Sequence, residues 1–274
     1  MIKMIVQKKT SSTHIQDITS RNLSIQFSLD GFSFCISNQE NEIYLLKEFS
    51  FDKTLNVNEC LEEITAVFKS EEQLHSDFDK ISVIHQNYLN TLVPEELFDE
   101  SELTSYLKFT IKTLATDSFD FDSIPTIKAK NVYIPYANVN NFLFQNFGAF
   151  EFKHHATILI DKLLPQNNGL TFYVHVSKHH LDIIVLKDTS LVFYNSFEFH
   201  SKEDFIYYVL FTAEQLKMDP EEFTLQLFGE VDKESELYTI LYTYVRNISF
   251  LENNHSLLTG SKDFSNHSNF ILLG

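Results

Sequence analysis

"LSIQFSLDGFSFCIS" (23–37) and "FYVHVSKHHLDIIVL" (172–186) decide how this chain is read. Aligned without a gap, apolar residues fall at 23, 25, 27, 32, 34 and 36 in the first and at 172, 174, 176, 181, 183 and 185 in the second. Period-two alternation on both sides of a polar turn predicts a β-hairpin with one buried face. The turn is "LDG" in the first copy and "KHH" in the second. The likeness runs on. "IYLLKEFSF" (43–51) and "LVFYNSFEF" (191–199) follow as third strands, with a one-residue difference in offset.

Each copy then enters a helix. Val57, Leu61, Ile64 and Phe68 form an apolar stripe at helical spacing, and Asn56 with Glu59 resembles a capping box. In the second copy the stripe is Phe205, Val209, Ala213 and Leu216, with Ser201 and Asp204 at its start. "KISVIHQ" (80–86) and "FTLQLFG" (223–229) are the next strands. Both halves therefore read strand–strand–strand–helix–strand, a period too long for a solenoid and suited to two related lobes.

Between the copies the pattern predicts a helix in "SELTSYLKFTIKTLA", a strand reaching "NVYIPY", a short strand "EFKH" and a helix in "ATILIDKLLP". Pro165 with "QNNG" marks a boundary. "KESELYTILYTYVRN" reads as a late helix and "ISFLE" as a strand, after which only "NFILLG" is apolar. The expected organisation is an extension over 1–20, a first lobe over 21–165, a second over 166–251 and a tail over 252–274.

The totals bound the function. Of 274 residues, 38 are acidic and 21 basic, a net charge of −17 that repels phosphate backbones and argues against nucleic acid as a partner. No apolar run has transmembrane length. In "MIKMIVQKKTSSTHIQD" the basic residues follow a very short apolar piece, the wrong order for a secretory leader, so the expected compartment is the cytoplasm. The two cysteines, Cys35 and Cys60, lack metal or redox spacing. Six glycines, at 31, 148, 169, 229, 260 and 274, leave few places for backbone to approach a phosphate.

With these strands and helices in place, the chain resembles the actin-like ATPase (ribonuclease H-like) fold over roughly residues 21 to 251, in the form found in cytoplasmic adaptors of pilus and type II secretion machines. The segment "FGAFEFKHHATILIDKL" (147–163) matches the piece that links the lobes there. The chain is also similar to a bacterial domain-of-unknown-function family, seen mostly in Bacteroidetes and related to these adaptors. The resemblance implies an α/β protein with two duplicated lobes sharing a cleft, each with a mixed sheet of three antiparallel strands plus further strands and helices. It also implies phosphate-binding turns at the start of each lobe and an adenosine-binding glycine pair later. Gln26 or Ser28 stands where the family has its aspartate, with Asp30 and Gly31 in the turn. In the second lobe His175 and Ser177 replace the aspartate and glycine, and "LFGEVD" keeps Gly229 but puts Glu230 second. A carboxylate there opposes a polyphosphate.

The residues expected nearest any ligand are Ser28, Asp30, Gly31, Ser177, Lys178 and Gly229, with Lys178 the cation placed to meet a phosphate. No catalytic residue, metal or cofactor is expected, and the leading reading is a non-catalytic adaptor that binds protein. The alternative is a Mg-ATP-dependent ATPase or kinase with atypical site residues. His175, His179 and His180 are expected to be solvated turn residues rather than a zinc site, because paired histidines at a turn do not bring both rings to one ion. "DSFDFDS" (117–123) lacks the spacing and glycine of a calcium loop and reads as a solvated edge. A ribonuclease H-type nuclease needs clustered carboxylates, and Asp30 stands alone. Of Phe142, Phe144, Phe147, Phe150 and Phe152 most should be core, and two or three exposed would make a partner patch.

Overall fold

A computed structural model describes residues 4–11, 20–253, 255, 257, 258, 261 and 263–273. The chain forms two compact units: Met1–Leu159 with His255–Phe264 and Ile271–Gly274, and Ile160–Asn254 with Ser265–Phe270.

The first unit holds strands β1 (Met4–Ser11), β2 (Asn22–Phe27), β3 (Gly31–Ser37) and β4 (Ile43–Phe51), helix α1 (Val57–Ser70) and strand β5 (Lys80–His85). Strands β6 (Asn90–Pro94), β7 (Asp120–Ile124) and β8 (Ala129–Tyr133) follow, with helix α2 (Leu103–Leu107) among them, then α3 (Ala137–Phe147) and β9 (Glu151–His154). Its main sheet has the order β1-β4-β3-β2-β5-β9. β2, β3 and β4 are antiparallel neighbours, whereas β5 and β9 join in parallel. Residues within the sequence's 1–20 extension thus supply β1, which lies antiparallel along the outer side of β4.

Helix α4 (His155–Leu163) contains the division between the units. The second unit has strands β10 (Leu170–Val176), β11 (His180–Lys187) and β12 (Ser190–Glu198), helix α5 (Lys202–Gln215), strand β13 (Thr224–Gly229), helix α6 (Glu236–Tyr244) and strand β14 (Asn247–Phe250). Its sheet order, β12-β11-β10-β13-β14, repeats that of β4-β3-β2-β5-β9, and the parallel and antiparallel neighbours repeat with it.

All twelve residues of the alternating pattern enter the cores. Leu23, Ile25, Phe27, Phe32, Phe34 and Ile36 belong to the first apolar cluster, and Phe172, Val174, Val176, Leu181, Ile183 and Val185 to the second. The repeat's registers also coincide. Leu23 faces Ile36 as Phe172 faces Val185, and Ile36 faces Leu45 as Val185 faces Phe193. Both helices begin in reciprocal capping boxes, Asn56 with Glu59 and Ser201 with Asp204. A buried Lys47–Glu71 ion pair pins the end of α1 to β4.

Three expectations need correction. The second hairpin has both faces buried, since Thr171, Tyr173, His175, Asp182, Ile184 and Leu186 are covered as well as their alternating neighbours. The helix expected across 101–115 stops at Leu107. Beyond it the β-branched Thr110, Ile111 and Thr113 are poor helix formers, and Phe109 lies exposed, so no apolar face holds a longer helix in place. The stretch "DSFDFDS" is not simply solvated, for its end forms β7 of a small sheet, β6-β8-β7, where Asp122 is buried. Among the described residues no helix is long and apolar enough to cross a membrane.

Candidate functional site

The first unit's turn carries Ser28, Asp30 and Gly31 together between β2 and β3. Ser28 N–H donates to the Gly31 carbonyl at 2.9 Å, and Asp30 N–H donates to Ser28 Oγ at 3.1 Å. The Asp30 carboxylate accepts from the Thr54 hydroxyl at 2.6 Å, while its carbonyl accepts from Phe51 N–H at 2.9 Å. Gly31 is needed for close packing, because a Cβ there would stand 2.8 Å from the Phe49 carbonyl oxygen. Cys60 donates its thiol to the Ser28 carbonyl from the start of α1, and burial, with Asp30 and Glu63 adding negative charge, pushes that thiol up to about 12. Such a thiol is not a nucleophile at neutral pH.

The second unit's turn holds Ser177 and Lys178 between β10 and β11. Ser177 donates both its N–H and its hydroxyl to the His180 carbonyl, at 2.9 and 3.1 Å. Gly229 ends β13 beside Val176, the residue just before this turn, so the fold brings three of the expected residues of this unit to one place. The φ of Gly229 is +95°, and a Cβ would stand 2.2 Å from the Val176 carbonyl oxygen. Only glycine fits. Glu230 N–H donates to that same Val176 carbonyl at 2.7 Å.

The tail of the chain packs against the end of β13. Gly229 N–H donates to the carbonyl of His267 at 2.9 Å. The His267 ring reaches back to the Val231 carbonyl at 2.5 Å and lies over Phe250, with centroids 4.3 Å apart. Burial holds its imidazole below the ordinary histidine value, against the pull of the Val231 carbonyl. Phe270 packs edge-on against Phe228, and its carbonyl accepts from Lys162 at 2.7 Å. The apolar "FILL" (270–273) of the tail is thus core material, with Phe270, Ile271, Leu272 and Leu273 all buried. Its sequence neighbours gave no periodic signal for this.

The histidines divide differently from expectation. His175 is not a solvated turn residue. It lies in β10, 6% exposed, with Nδ1 2.9 Å from the Asp182 carboxylate directly across the hairpin. Tyr194 donates to the other Asp182 oxygen at 3.3 Å. His179 stays at the turn, its carbonyl accepting from Phe199 N–H.

The sequence reading missed His85, fully buried at the end of β5. Its Nδ1 accepts from Tyr136 N–H at 3.3 Å and Nε2 sits 2.9 Å from Asn140 Oδ1, an arrangement that fits the neutral ring protonated at Nε2. Burial lowers its value to about 4, the Asn140 bond opposing. The even spacing of Ile81, Val83 and His85 along β5 was the available signal.

A second buried polar network surrounds Asp122. It accepts from the Thr157 hydroxyl at 2.7 Å, His154 N–H at 2.8 Å and Tyr133 at 3.3 Å. Burial raises its carboxyl above the usual range despite these bonds. Asn131 donates to Thr157, and His154 reaches the Asn87 carbonyl, so the group reads as a structural joint between the small sheet and α4. Among the described residues no group of three or more His, Cys, Asp or Glu side chains could hold a metal ion. Of the five phenylalanines from 142 to 152 only Phe144 is exposed, so they form no partner patch.

Comparison with solved structures places these lobes in a known fold. The chain is similar to a Bacteroides thetaiotaomicron VPI-5482 protein with an actin-like ATPase fold and unknown function, at 23% identity and a TM-score of 0.78, covering 88% of this chain and 94% of that one. It is also similar to a chain of the PilM–PilN type IV pilus biogenesis complex, at 13% identity and a TM-score of 0.54, covering 84% and 88%. At these identities the likeness establishes the fold, which is the actin-like ATPase fold. No curated protein matches. The family model "protein of unknown function (DUF3822)" matches residues 10–248, and the chain belongs to that family.

Proposed function

We propose that this chain is a non-catalytic cytoplasmic adaptor or scaffold that uses the actin-like fold to bind protein. One observation carries the reading. Phosphate sites of this kind rely on backbone N–H groups turned toward the ligand. Here the N–H groups of Ser28, Asp30, Ser177, Gly229 and Glu230 are each spent on the chain's own oxygens. The similarity to a chain of the PilM–PilN complex supports a protein partner, and the excess of acidic residues supports one that is not nucleic acid.

The second reading, a nucleotide-binding ATPase or kinase-like enzyme, draws on the fold and on Lys178 in the second turn. Calorimetric titration of the purified chain with Mg-ATP separates the two, with Lys178→Ala as the control. The adaptor reading expects no heat up to millimolar nucleotide. Micromolar affinity that disappears in Lys178→Ala would overturn it.

A further inference from the structure

The two sheets share one strand order, but their outer edges differ. In the first unit β4 is covered by β1. In the second unit β12 occupies the position of β4, and among the described residues no strand pairs with its outer side. The equivalence is close. β4 and β12 each carry one bulged residue opposite the preceding strand, Tyr44 between Ile43 and Leu45, and Val192 between Leu191 and Phe193. β1 then pairs with residues 45–51, just past the bulge. The matching stretch in the second unit is 193–199.

We propose that this stretch of β12 receives an extended segment of a partner protein as an added antiparallel strand, apolar at alternate positions and carrying basic residues. The proposal rests on the protein-binding reading above and names where that binding occurs. β12 is nine residues long and contains neither lysine nor proline, the residues that usually blunt an exposed edge. The hydrogen bond from Phe199 N–H to the His179 carbonyl fixes the odd-numbered residues as those turned toward β11. Ser196 N–H therefore points outward, where it makes only a local bond to the side chain of Asn195 at 3.0 Å. An incoming carbonyl would replace that bond.

The neighbouring surface supplies affinity and sign. Phe197 of β12 stacks on Tyr208 of α5 at 4.6 Å, Tyr208 meets Tyr207 at 5.4 Å, and Tyr207 stacks on Phe211 at 5.6 Å. This aromatic run leads from the edge strand onto the solvent face of α5, where Tyr207 is 57% and Phe211 42% exposed. Glu203 and Glu214 stand at either end of the exposed pair on the same helix face, so an apolar segment with basic flanks is complementary. The first unit, whose edge is already filled, has none of this. Aligned on the caps Asn56 and Ser201, the residues matching Tyr207, Tyr208 and Phe211 are Glu62, Glu63 and Ala66. The strand that fills the first edge is itself basic, with Lys8 paired to Glu48 of β4 at 3.6 Å.

The chain's own first twelve residues, MIKMIVQKKTSS, therefore serve as a synthetic probe, labelled for fluorescence anisotropy against the full-length protein. Saturable binding is expected, weakened roughly tenfold or more both by Ser196→Pro, which removes an outward donor, and by Tyr207→Ala with Phe211→Ala. Glu62→Ala on α1 should leave it unchanged. Absence of binding at millimolar peptide, or binding indifferent to both sets of variants, would overturn the proposal. Sedimentation supplies a further check: self-association of the wild-type chain that Ser196→Pro abolishes would make the occupant a second copy instead. Failure here leaves the Mg-ATP titration untouched, so the docking edge and the adaptor reading can fall separately.

Discussion

The two sheets end their fourth repeated strand in opposite ways. In the first unit the end of β5 carries His85, a side chain closed over by the neighbouring helix α3 through Asn140 and the Tyr136 N–H. In the second, the end of β13 carries Gly229, which has no side chain because the Val176 backbone packs against it, and its N–H is bonded to the His267 carbonyl of the tail. One strand over, Gln26 and Ser33 of the first hairpin match the buried His175–Asp182 pair of the second. One scaffold thus tolerates two solutions. The first is a plug built from the strand itself, and the second depends on a segment almost forty residues further along the chain.

The largest test of this contrast is Gly229→Ala. The backbone conformation disfavours any side chain and the added Cβ meets the Val176 carbonyl, so a loss of about 4 kcal/mol is expected in urea unfolding. A loss below about 1 kcal/mol would mean that β13 can pull away from β10 cheaply, against the close packing described. Next comes Asp182→Ala, which leaves the buried His175 ring without its carboxylate and should cost about 3 kcal/mol. The matching Ser33→Ala in the first unit should cost well under that, and equal losses would erase the distinction between the hairpins.

His85 makes the contrast pH-dependent. Its folded value is about 4 against 6.5 for the free group, so between these values the unfolded chain binds more protons than the folded one. Stability is therefore complete above that window and falls as pH drops through it. From about pH 7.5 to about pH 5.5 the loss due to this group is about 1 kcal/mol. His267, lowered by burial too, acts in the same direction. Urea midpoints for the wild type and His85→Gln should differ in their pH slope, and identical slopes would remove His85 as the cause. The smallest effects belong to the features both halves share. Asn56→Ala and Ser201→Ala each remove a helix cap and should each cost about 1 kcal/mol. A clear inequality between them would show that the repeated helices are not held alike.

Much of the framework was legible because its signals are local. β4 spans the residues of "IYLLKEFSF", and α1 and α5 start at the caps that the spacing suggested. The turns holding Ser28, Asp30 and Gly31, and Ser177 and Lys178, lie between the strands expected to flank them. What the residues in those turns bond to was not legible. The partners of Asp30, Gly229 and His175 come from other strands, from the loop before α1 or from the tail, and no periodicity reports such hydrogen bonds.

By itself the sequence determined the repeated order of strands and helices, because alternation and helical spacing record which side of each element is apolar. The excess of acidic residues and the scarcity of glycine were equally plain in it. Tertiary structure alone decided that β1 covers β4, that Asp122 and His175 are buried with partners, and that "FILL" (270–273) belongs to the core. The physical reason is the same in each case. A polar side chain or a short apolar run is compatible with solvent or with burial, and only the elements packed around it settle which state costs less.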